Sequence, residues 1–251
     1  MIKLQNIDLI FHKNTEREHI LFKKLNLNVS KEEFVVVMGD NGAGKSTLIN
    51  LISGSTVPQK GKVMLASKDV TKQNEYIRAS NIARVFQDPR IGTVPDMTVR
   101  ENLSIAFHKK DVSVLKSGVN KINDKYFVEI LSELGLGLEK ILDKRTGNLS
   151  GGQRQALSMV MAMMTKPKVL LLDEHIAALD PETAKIILEK TDMIIKENKL
   201  TALMITHSIP VAMKYGSRLV FMRDGEIKFD VSGKDKEKLT VEKIVGMFKK
   251  I

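Results

Sequence analysis

The stretch that most constrains this chain is GDNGAGKS at residues 39–46, which follows an apolar run, FVVVM, at residues 34–38. Three glycines in six residues cost backbone entropy, so this turn indicates that something must approach the bare backbone. The segment fits the pattern G-x-x-x-x-G-K-[ST] and lies between a predicted buried strand and a predicted helix, TLINLIS, at residues 47–53. Loop N–H groups and a helix N-terminus both attract phosphate oxygens. The sequence therefore predicts a phosphate-binding loop at a strand-to-helix turn.

Two side chains of this loop are expected to do specific chemistry. Lys45 is expected to bridge the β- and γ-phosphates of a bound ATP, and the Ser46 hydroxyl is expected to ligate Mg²⁺. The other predicted nucleotide contacts of the loop are Gly39, Asp40, Asn41, Gly42, Ala43, Gly44 and Thr47. ATP and Mg²⁺ are therefore the predicted ligands.

A second apolar run, VLLLD at residues 169–173, ends in a carboxylate and is followed by Glu174. In an α/β sheet, ligands bind in the crevice outside the carboxyl ends of the strands, so this run is expected to end beside the phosphate loop. We predict that Asp173 holds Mg²⁺ through water and that Glu174 orients and deprotonates the attacking water.

Apolar runs alternate with helical patterns through much of the chain. LTALMITHS at residues 200–208 and RLVFM at residues 218–222 predict two further buried strands, and Asp224-Gly225 is a hairpin signal. Asp180 and Pro181 are expected to open a helix that runs to about residue 197. This alternation predicts an α/β fold with a mostly parallel sheet.

Helical patterns dominate between residues 88 and 166, with an irregular or helical connector expected at residues 109–124. We interpret residues 88–166 as a helical lobe inserted into an ATP-binding core. That core would consist of residues 1–87 and 167–251, so that all 251 residues form one domain with lobes.

Composition narrows the classes of function. The chain has no cysteine, so it has neither disulfides nor thiolate metal sites. No apolar run reaches the roughly 18–20 residues that span a bilayer, and the N-terminus does not resemble a signal peptide, so a cytoplasmic protein is expected. The net charge of +10 comes from scattered lysines, which favours a solvated surface over an anionic partner. With 5% aromatic residues and no tryptophan, nucleic acid is not favoured as the main ligand.

Residues 149–153 read LSGGQ and open a strongly helical segment. Two glycines at a helix N-terminus suggest a second anion site. The methionines of this helix, Met159, Met161, Met163 and Met164, are interpreted as packing residues.

The motifs GDNGAGKST, FQD, LSGGQ, VLLLDE, ALD and ITHS occur in this order between about residues 11 and 229. In these motifs and their order, the chain resembles the nucleotide-binding subunits of ABC transporters. The resemblance implies a P-loop NTPase core with a mostly parallel sheet, an N-terminal antiparallel β subdomain and an inserted α-helical subdomain. It also implies ATP hydrolysis coupled to transport.

The resemblance assigns roles to four more side chains. Phe11 lies where the family has an aromatic residue that stacks on adenine, although a core phenylalanine is nearly as good an interpretation. Gln87 matches a glutamine that senses Mg²⁺ and the γ-phosphate and joins the helical lobe to the core. His207 matches a histidine that contacts the γ-phosphate. Asp180 matches a residue that communicates across a dimer, and it can cap its helix at the same time.

The same resemblance implies a second copy of the chain. In the family two subunits meet head to tail, and the signature residues of one complete the ATP site of the other. Here these residues are Ser150, Gly151, Gly152 and Gln153. Hydrolysis and product release then part the pair, and that motion drives a membrane partner.

The sequence also departs from the family at several positions. Glu32-Glu33 stands where Gly-Glu is usual, and His175 and Ile176 replace the proline and threonine of DEPTSALD. The variant DEHIAALD most resembles one importer subgroup. Its members accompany a periplasmic-type binding protein and a permease similar to the branched-chain amino-acid type, and some are linked to aromatic amino acids. The catalytic carboxylates are retained, so activity is expected.

The leading hypothesis is therefore the ATPase subunit of an importer, docked on transmembrane permease subunits at the cytoplasmic face of the cell membrane. FQDPRIGTVPDMTVRENL, residues 86–103, would form part of the docking surface. An exporter or lipoprotein-releasing ATPase would share the same machinery. Two further alternatives are a soluble ABC ATPase that acts on DNA or ribosomes and a nucleotide kinase. A nucleotide kinase would not explain the presence of LSGGQ.

Overall fold

The structure of this chain is a computed structural model that describes residues 1–108 and 123–250, with side chains described at residues 1–107 and 123–246. It divides into two compact units. The first comprises Met1–Ile82, Val169–Asp173 and Ile195–Ile251, and the second comprises Ala83–Lys168 and Glu174–Ile194. The second unit therefore takes in residues 174–194 in addition to the predicted helical lobe. Most of the connector predicted at residues 109–124 lies outside the described residues.

The N-terminal part of the first unit is an antiparallel sheet with the strand order β2-β1-β4-β5. Its strands are β1 (Ile2–Phe11), β2 (His19–Val29), β4 (Lys60–Leu65) and β5 (Lys68–Asp69). Buried and exposed residues alternate along β1, so Ile2 and Leu4, and after a register irregularity Ile7 and Leu9, face the core. The predicted antiparallel β subdomain is confirmed.

The second sheet has the strand order β10-β9-β3-β8-β7-β6. Its strands are β3 (Phe34–Gly39), β6 (Ile82–Val85), β7 (Val169–Asp173), β8 (Thr201–Ile205), β9 (Arg218–Arg223) and β10 (Glu226–Ser232). Strands β9, β3, β8 and β7 are parallel neighbours, and every residue of β7 and β8 is buried. Burial on both faces explains their continuous apolar sequences. The carboxyl ends of these four strands therefore share one edge of the sheet.

The predicted hairpin joins β9 to β10. Asp224 and Gly225 have φ values of 50° and 73°, as the two central residues of a type I′ turn require. A Cβ atom at residue 225 would lie 1.6 Å from the carbonyl oxygen of Leu21, so only glycine fits this close approach.

Five of the described helices lie wholly within the first unit. They are α1 (Lys45–Ser53), α2 (Glu75–Arg78), α7 (Ile209–Lys214), α8 (Gly233–Glu237) and α9 (Val241–Lys250). Helix α1 begins at Lys45 rather than at the predicted Thr47. It ends at Gly54, whose φ of 94° supplies the left-handed residue that terminates many helices.

The second unit is built mainly from helices. They are α3 (Val99–His108), α4 (Asp124–Ser132), α5 (Gly151–Met164) and most of α6 (Pro181–Glu197), with 3₁₀ turns at Leu138–Lys140 and Thr146–Asn148. The hydroxyl of Thr191 on α6 donates to the sulfur of Met159 on α5 at 3.0 Å, and both residues are buried. Met159 is thus a packing residue between these helices. Among the described helices, none combines the length and apolar character needed to cross a membrane.

Arg78, the last residue of α2, is a buried cation within the first unit. Its guanidinium donates to the carbonyl oxygens of Leu51, Ile52, Val70 and Thr71. Two of these acceptors belong to the last turn of α1, where the helix dipole favours a positive charge. Arg78 therefore fixes the far end of the helix that the phosphate loop opens.

We predict that Arg78→Met lowers the free energy of unfolding by about 3 kcal/mol, because buried carbonyls lose a charged donor. Urea denaturation measures the change. Arg90→Met is the control, since Arg90 is exposed and its ion pair with Asp88, two residues earlier, lies at the surface, so no measurable change is expected there. Equal stability of the two variants would contradict the anchoring role of Arg78.

Candidate functional site

The phosphate loop leaves β3 at Gly39 and enters α1 at Lys45. A Cβ atom at residue 39 would lie 2.0 Å from the carbonyl oxygen of Met222, and one at residue 44 would lie 2.6 Å from the Phe22 ring. At Gly42 a Cβ would meet nothing within 4 Å, so glycine is needed there for its φ of 81° rather than for space. The loop is therefore packed tightly at both ends and open in its middle.

The Lys45 side chain is buried and spans the loop from inside. Its ammonium donates to the carbonyl oxygens of Gly39 and Asp40 at 2.9 and 2.8 Å. The N–H of Ala43 also donates to the carbonyl of Asp40, at 3.2 Å. A cation is thereby positioned inside a loop of backbone amides, which is the arrangement that phosphate oxygens require.

The hydroxyl of Ser46 donates to a carboxylate oxygen of Asp173 at 3.3 Å. Asp173 ends β7 and is 7% exposed, so its carboxylate is directed along the sheet edge beside α1. Hydroxyl and carboxylate oxygens are ligands that Mg²⁺ prefers, and Mg²⁺ is usually held by one or two such groups together with substrate phosphates and water. No group of three or more acidic, histidine or cysteine ligands occurs in the part of the chain that is described. The Ser46 hydroxyl and the Asp173 carboxylate are two oxygen ligands of the kind that a nucleotide-bound Mg²⁺ takes.

His207 lies at the same edge of the sheet, two residues beyond the end of β8. The N–H of Thr206 donates to the carbonyl of Val37 at 3.2 Å, which ties this segment to β3, and His207 itself is exposed. Ser208 then caps α7 by accepting from the N–H of Val211. The imidazole is therefore exposed just beyond the carboxyl end of β8, the neighbour of the strand β3 that leads into the phosphate loop.

Phe11 is the last residue of β1 and is 38% exposed, opposite His19 in the register of β1 and β2. An exposed ring at a strand end is accessible to a base. Its predicted role in adenine stacking stays a prediction.

Glu174 and His175 follow Asp173 and belong to the second unit. Glu174 is half-buried and has a φ of 47°, a left-handed conformation that is uncommon for a residue with a side chain. His175 is 2% exposed, and neither ring nitrogen has a hydrogen-bond partner among the residues that the structure describes. Burial lowers the pKa of His175 to about 4, so its imidazole is neutral at pH 7. The residue that replaces proline therefore lies inside the fold.

The signature segment opens α5 with a capping box. The Ser150 hydroxyl accepts from the N–H of Gln153 at 3.2 Å, and the Gln153 side chain accepts from the N–H of Ser150 at 3.3 Å. Ser150 and Gly151 are exposed, whereas Gly152 is buried against α6. The helix tip is therefore rigid and one side of it is accessible.

Asp180 and Gln87 also lie in the second unit. Asp180 accepts from the N–H of Thr183 at 2.9 Å, and the hydrogen bonds from Thr183 lower the pKa of Asp180. Its expected helix-capping contact is thus present. Gln87 is exposed, and the preceding carbonyl, that of Phe86, accepts from the side chain of Gln155 at 3.1 Å. Sequence motifs did not single out Gln155, which is 1% exposed and links α5 to the glutamine segment.

The family model described as "ABC transporter" matches residues 22–177. The "Tyrosine transport ATP-binding protein" of Clostridioides difficile (strain R20291) is 44% identical over 249 residues, which cover 99% of this chain and 98% of that protein. The "Phosphonates import ATP-binding protein PhnC" of Hydrogenovibrio crunogenus is 34% identical, over 83% of this chain and 76% of its own.

Among solved structures, the dimeric post-hydrolysis state of the ATP-binding cassette MJ0796 bound to ADP and Pi superposes with a TM-score of 0.80. It is 29% identical and covers 92% of this chain and 98% of that chain. The predicted fold class, with its P-loop core, is therefore confirmed.

We predict that the buried side of the signature helix tolerates no added atom. A Cβ at residue 152 would lie 2.2 Å from the Thr183 methyl group, so Gly152→Ala should destabilise the chain by about 1–3 kcal/mol. Gly151→Ala is the matched control, since its Cβ would lie 3.7 Å from Leu179, an ordinary contact. Urea denaturation compares the two, and Gly152→Ala/Thr183→Ser should recover most of the loss. Equal losses at 151 and 152 would contradict this packing.

Proposed function

This chain belongs to the ABC transporter family, and we propose that it is the subunit whose ATP hydrolysis powers solute import across the cytoplasmic membrane. One observation carries the ATPase part of the proposal, and the import part is supported by the relatives named for transport and import. A lysine ammonium, a serine hydroxyl and a strand-end carboxylate meet at one edge of the sheet, where Ser46 and Asp173 are in direct contact.

Lys45 is proposed to bind the triphosphate. Its ammonium is already directed into the loop by two backbone carbonyls, so little side-chain entropy is lost when phosphate oxygens take their place. The loop amides from Gly39 to Thr47 would donate to the same phosphates. Phe11 would stack on the adenine.

Ser46 and Asp173 are the proposed holders of Mg²⁺, and Gln87 keeps its proposed role as a sensor of the ion and of the γ-phosphate. When bound, the ion would neutralise charge that develops on the phosphates during hydrolysis. The contact between the Ser46 hydroxyl and the Asp173 carboxylate keeps both oxygens on the side of the loop that faces the strand end.

Glu174 is proposed as the general base. It follows the buried strand end directly, and its carboxylate would accept a proton from the attacking water. His207, exposed two residues beyond β8, would donate a hydrogen bond to the γ-phosphate.

A second copy of the chain is proposed as the immediate partner. The capped tip of α5 exposes Ser150 and Gly151 and carries the positive end of a helix dipole. We expect such a tip to complete the ATP site of a second copy of the chain. Gly152, Gln153 and Asp180 are also proposed to take part in this shared site. The solved cassette MJ0796, which resembles this chain, is described as dimeric.

The proposed membrane partner is a permease that docks on residues 86–103, at the cytoplasmic face. This segment exposes Ile91, Val94 and Met97 at 64%, 42% and 37%. Apolar side chains grouped on an exposed segment are typical of a protein interface. An extracytoplasmic solute-binding protein would complete the system.

Tyrosine or a related aromatic amino acid is the proposed cargo, because the relative with 44% identity is named for tyrosine transport. The test is isolation of the intact membrane complex, identification of the co-purifying permease and binding protein, and uptake of labelled solutes into vesicles. Uptake of tyrosine ahead of phosphonate and branched-chain amino acids is expected. Export of the labelled solute instead would contradict the import direction.

We predict that Glu174→Gln binds ATP, forms a stable dimer and loses ATPase activity roughly 100-fold or more, since an amide cannot accept the proton. Phosphate release and size-exclusion chromatography with ATP measure both properties. Glu182→Gln is the matched control, because Glu182 is exposed in the first turn of α6. Normal turnover by Glu174→Gln would refute the assigned base.

A further inference from the structure

The phosphate loop is joined to the neighbouring strand by an ion pair. In the parallel register of β3 and β9, Gly39 lies opposite Met222. The next residues along the two strands, Asp40 and Arg223, therefore lie side by side. The Arg223 Nε donates to the Asp40 Oδ2 at 2.5 Å.

The Arg223 side chain is mostly buried and lies beside an aromatic ring of its own strand, β9. Its side chain is 21% exposed, and its guanidinium lies 5.6 Å from the centre of the Phe221 ring on the same strand. The Asp40 side chain is 53% exposed, so the aspartate is the more accessible member of the pair. A Cβ atom at residue 39 would overlap the Met222 carbonyl oxygen, so the two strand ends lie in direct backbone contact beside the pair.

Asp40 has a second role through its backbone. Its carbonyl oxygen accepts from the Lys45 ammonium at 2.8 Å, so its carboxylate is carried by a residue that touches the proposed phosphate-binding cation. A carboxylate near a bound triphosphate is unfavourable, because like charges repel. Pairing with Arg223 cancels that charge.

We propose that Arg223 is a positioning residue that compensates the charge of Asp40 and thereby sets the affinity of the phosphate loop for the triphosphate. The proposal rests on the nucleotide site proposed above. Its distinguishing feature is the sign of each charge change. Without Arg223 the site carries an extra negative charge; without Asp40 it carries an extra positive charge; without both it returns to balance.

The test is equilibrium binding of a non-hydrolysable ATP analogue and of ADP, each with Mg²⁺, to the full-length chain. Arg223→Gln should weaken binding of the ATP analogue roughly three- to tenfold, since one charge within about a Debye length acts on several phosphate charges. Asp40→Asn should tighten it about threefold. Asp40→Asn/Arg223→Gln should return close to the wild-type affinity.

Two further readouts separate charge compensation from a purely structural contact. The effects should be larger for the ATP analogue than for ADP, and they should shrink when salt is raised from about 50 to about 500 mM. Arg223→Lys, which keeps the positive charge, should retain most of the affinity. Lys31→Gln is the control, because Lys31 pairs with Glu32 just before the start of β3, at the opposite end of that strand from the phosphate loop, and its loss should leave affinity unchanged. Thermal melts identify any variant that fails to fold, and the remaining variants still test the sign.

The proposal is overturned if Asp40→Asn weakens binding as Arg223→Gln does, equally for both nucleotides and at all salt concentrations, with no recovery in the double variant. That result would make the pair a structural contact only. Failure of the wild-type chain to bind the ATP analogue would instead count against the proposed nucleotide site. The two failures are therefore distinguishable.

Discussion

The carbonyl oxygen of Met222 lies where a side chain at residue 39 would have to begin. This contact between two parallel strand ends determines where the phosphate loop leaves the sheet. The neighbouring ends of β7 and β8 then bring Asp173 and His207 to the same edge. Lys45, held by two loop carbonyls, and Ser46, in contact with Asp173, follow from that placement. The chemistry of the first unit thus depends on close backbone packing more than on any single side-chain pair.

In the second unit, packing between helices positions the candidate functional residues. Its signature tip must be exposed on one side and rigid on the other. The capping box of Ser150 and Gln153 supplies the rigidity, and the contact of Gly152 with Thr183 sets the tip against α6. Gln155 connects the same helix to the carbonyl before Gln87. Two segments that are distant in sequence are therefore joined by one buried amide.

Much of the fold and of the candidate site could be predicted from the sequence, because the sequence signals for them are local. Residues 39–46 carry their loop geometry in the glycines, and the continuous apolar runs of β7 and β8 report burial on both faces. The turn at Asp224-Gly225 and the helix start at Pro181 were likewise predicted, since turn and cap preferences act over a few residues. Buried polar residues were not predictable in this way. The residues that flank Arg78 in the sequence do not indicate that its side chain donates to the carbonyl oxygens of residues 51, 52, 70 and 71.

The sequence by itself determined the α/β class, the phosphate loop, the order of the motifs and the candidate residues Lys45, Ser46, Asp173, Glu174 and Ser150. Tertiary structure alone decided which of these touch. It placed Ser46 against Asp173, buried the imidazole of His175, and set Arg223 beside Asp40. The physical reason is that strand order and register bring together residues more than a hundred positions apart, and no local preference encodes that distance.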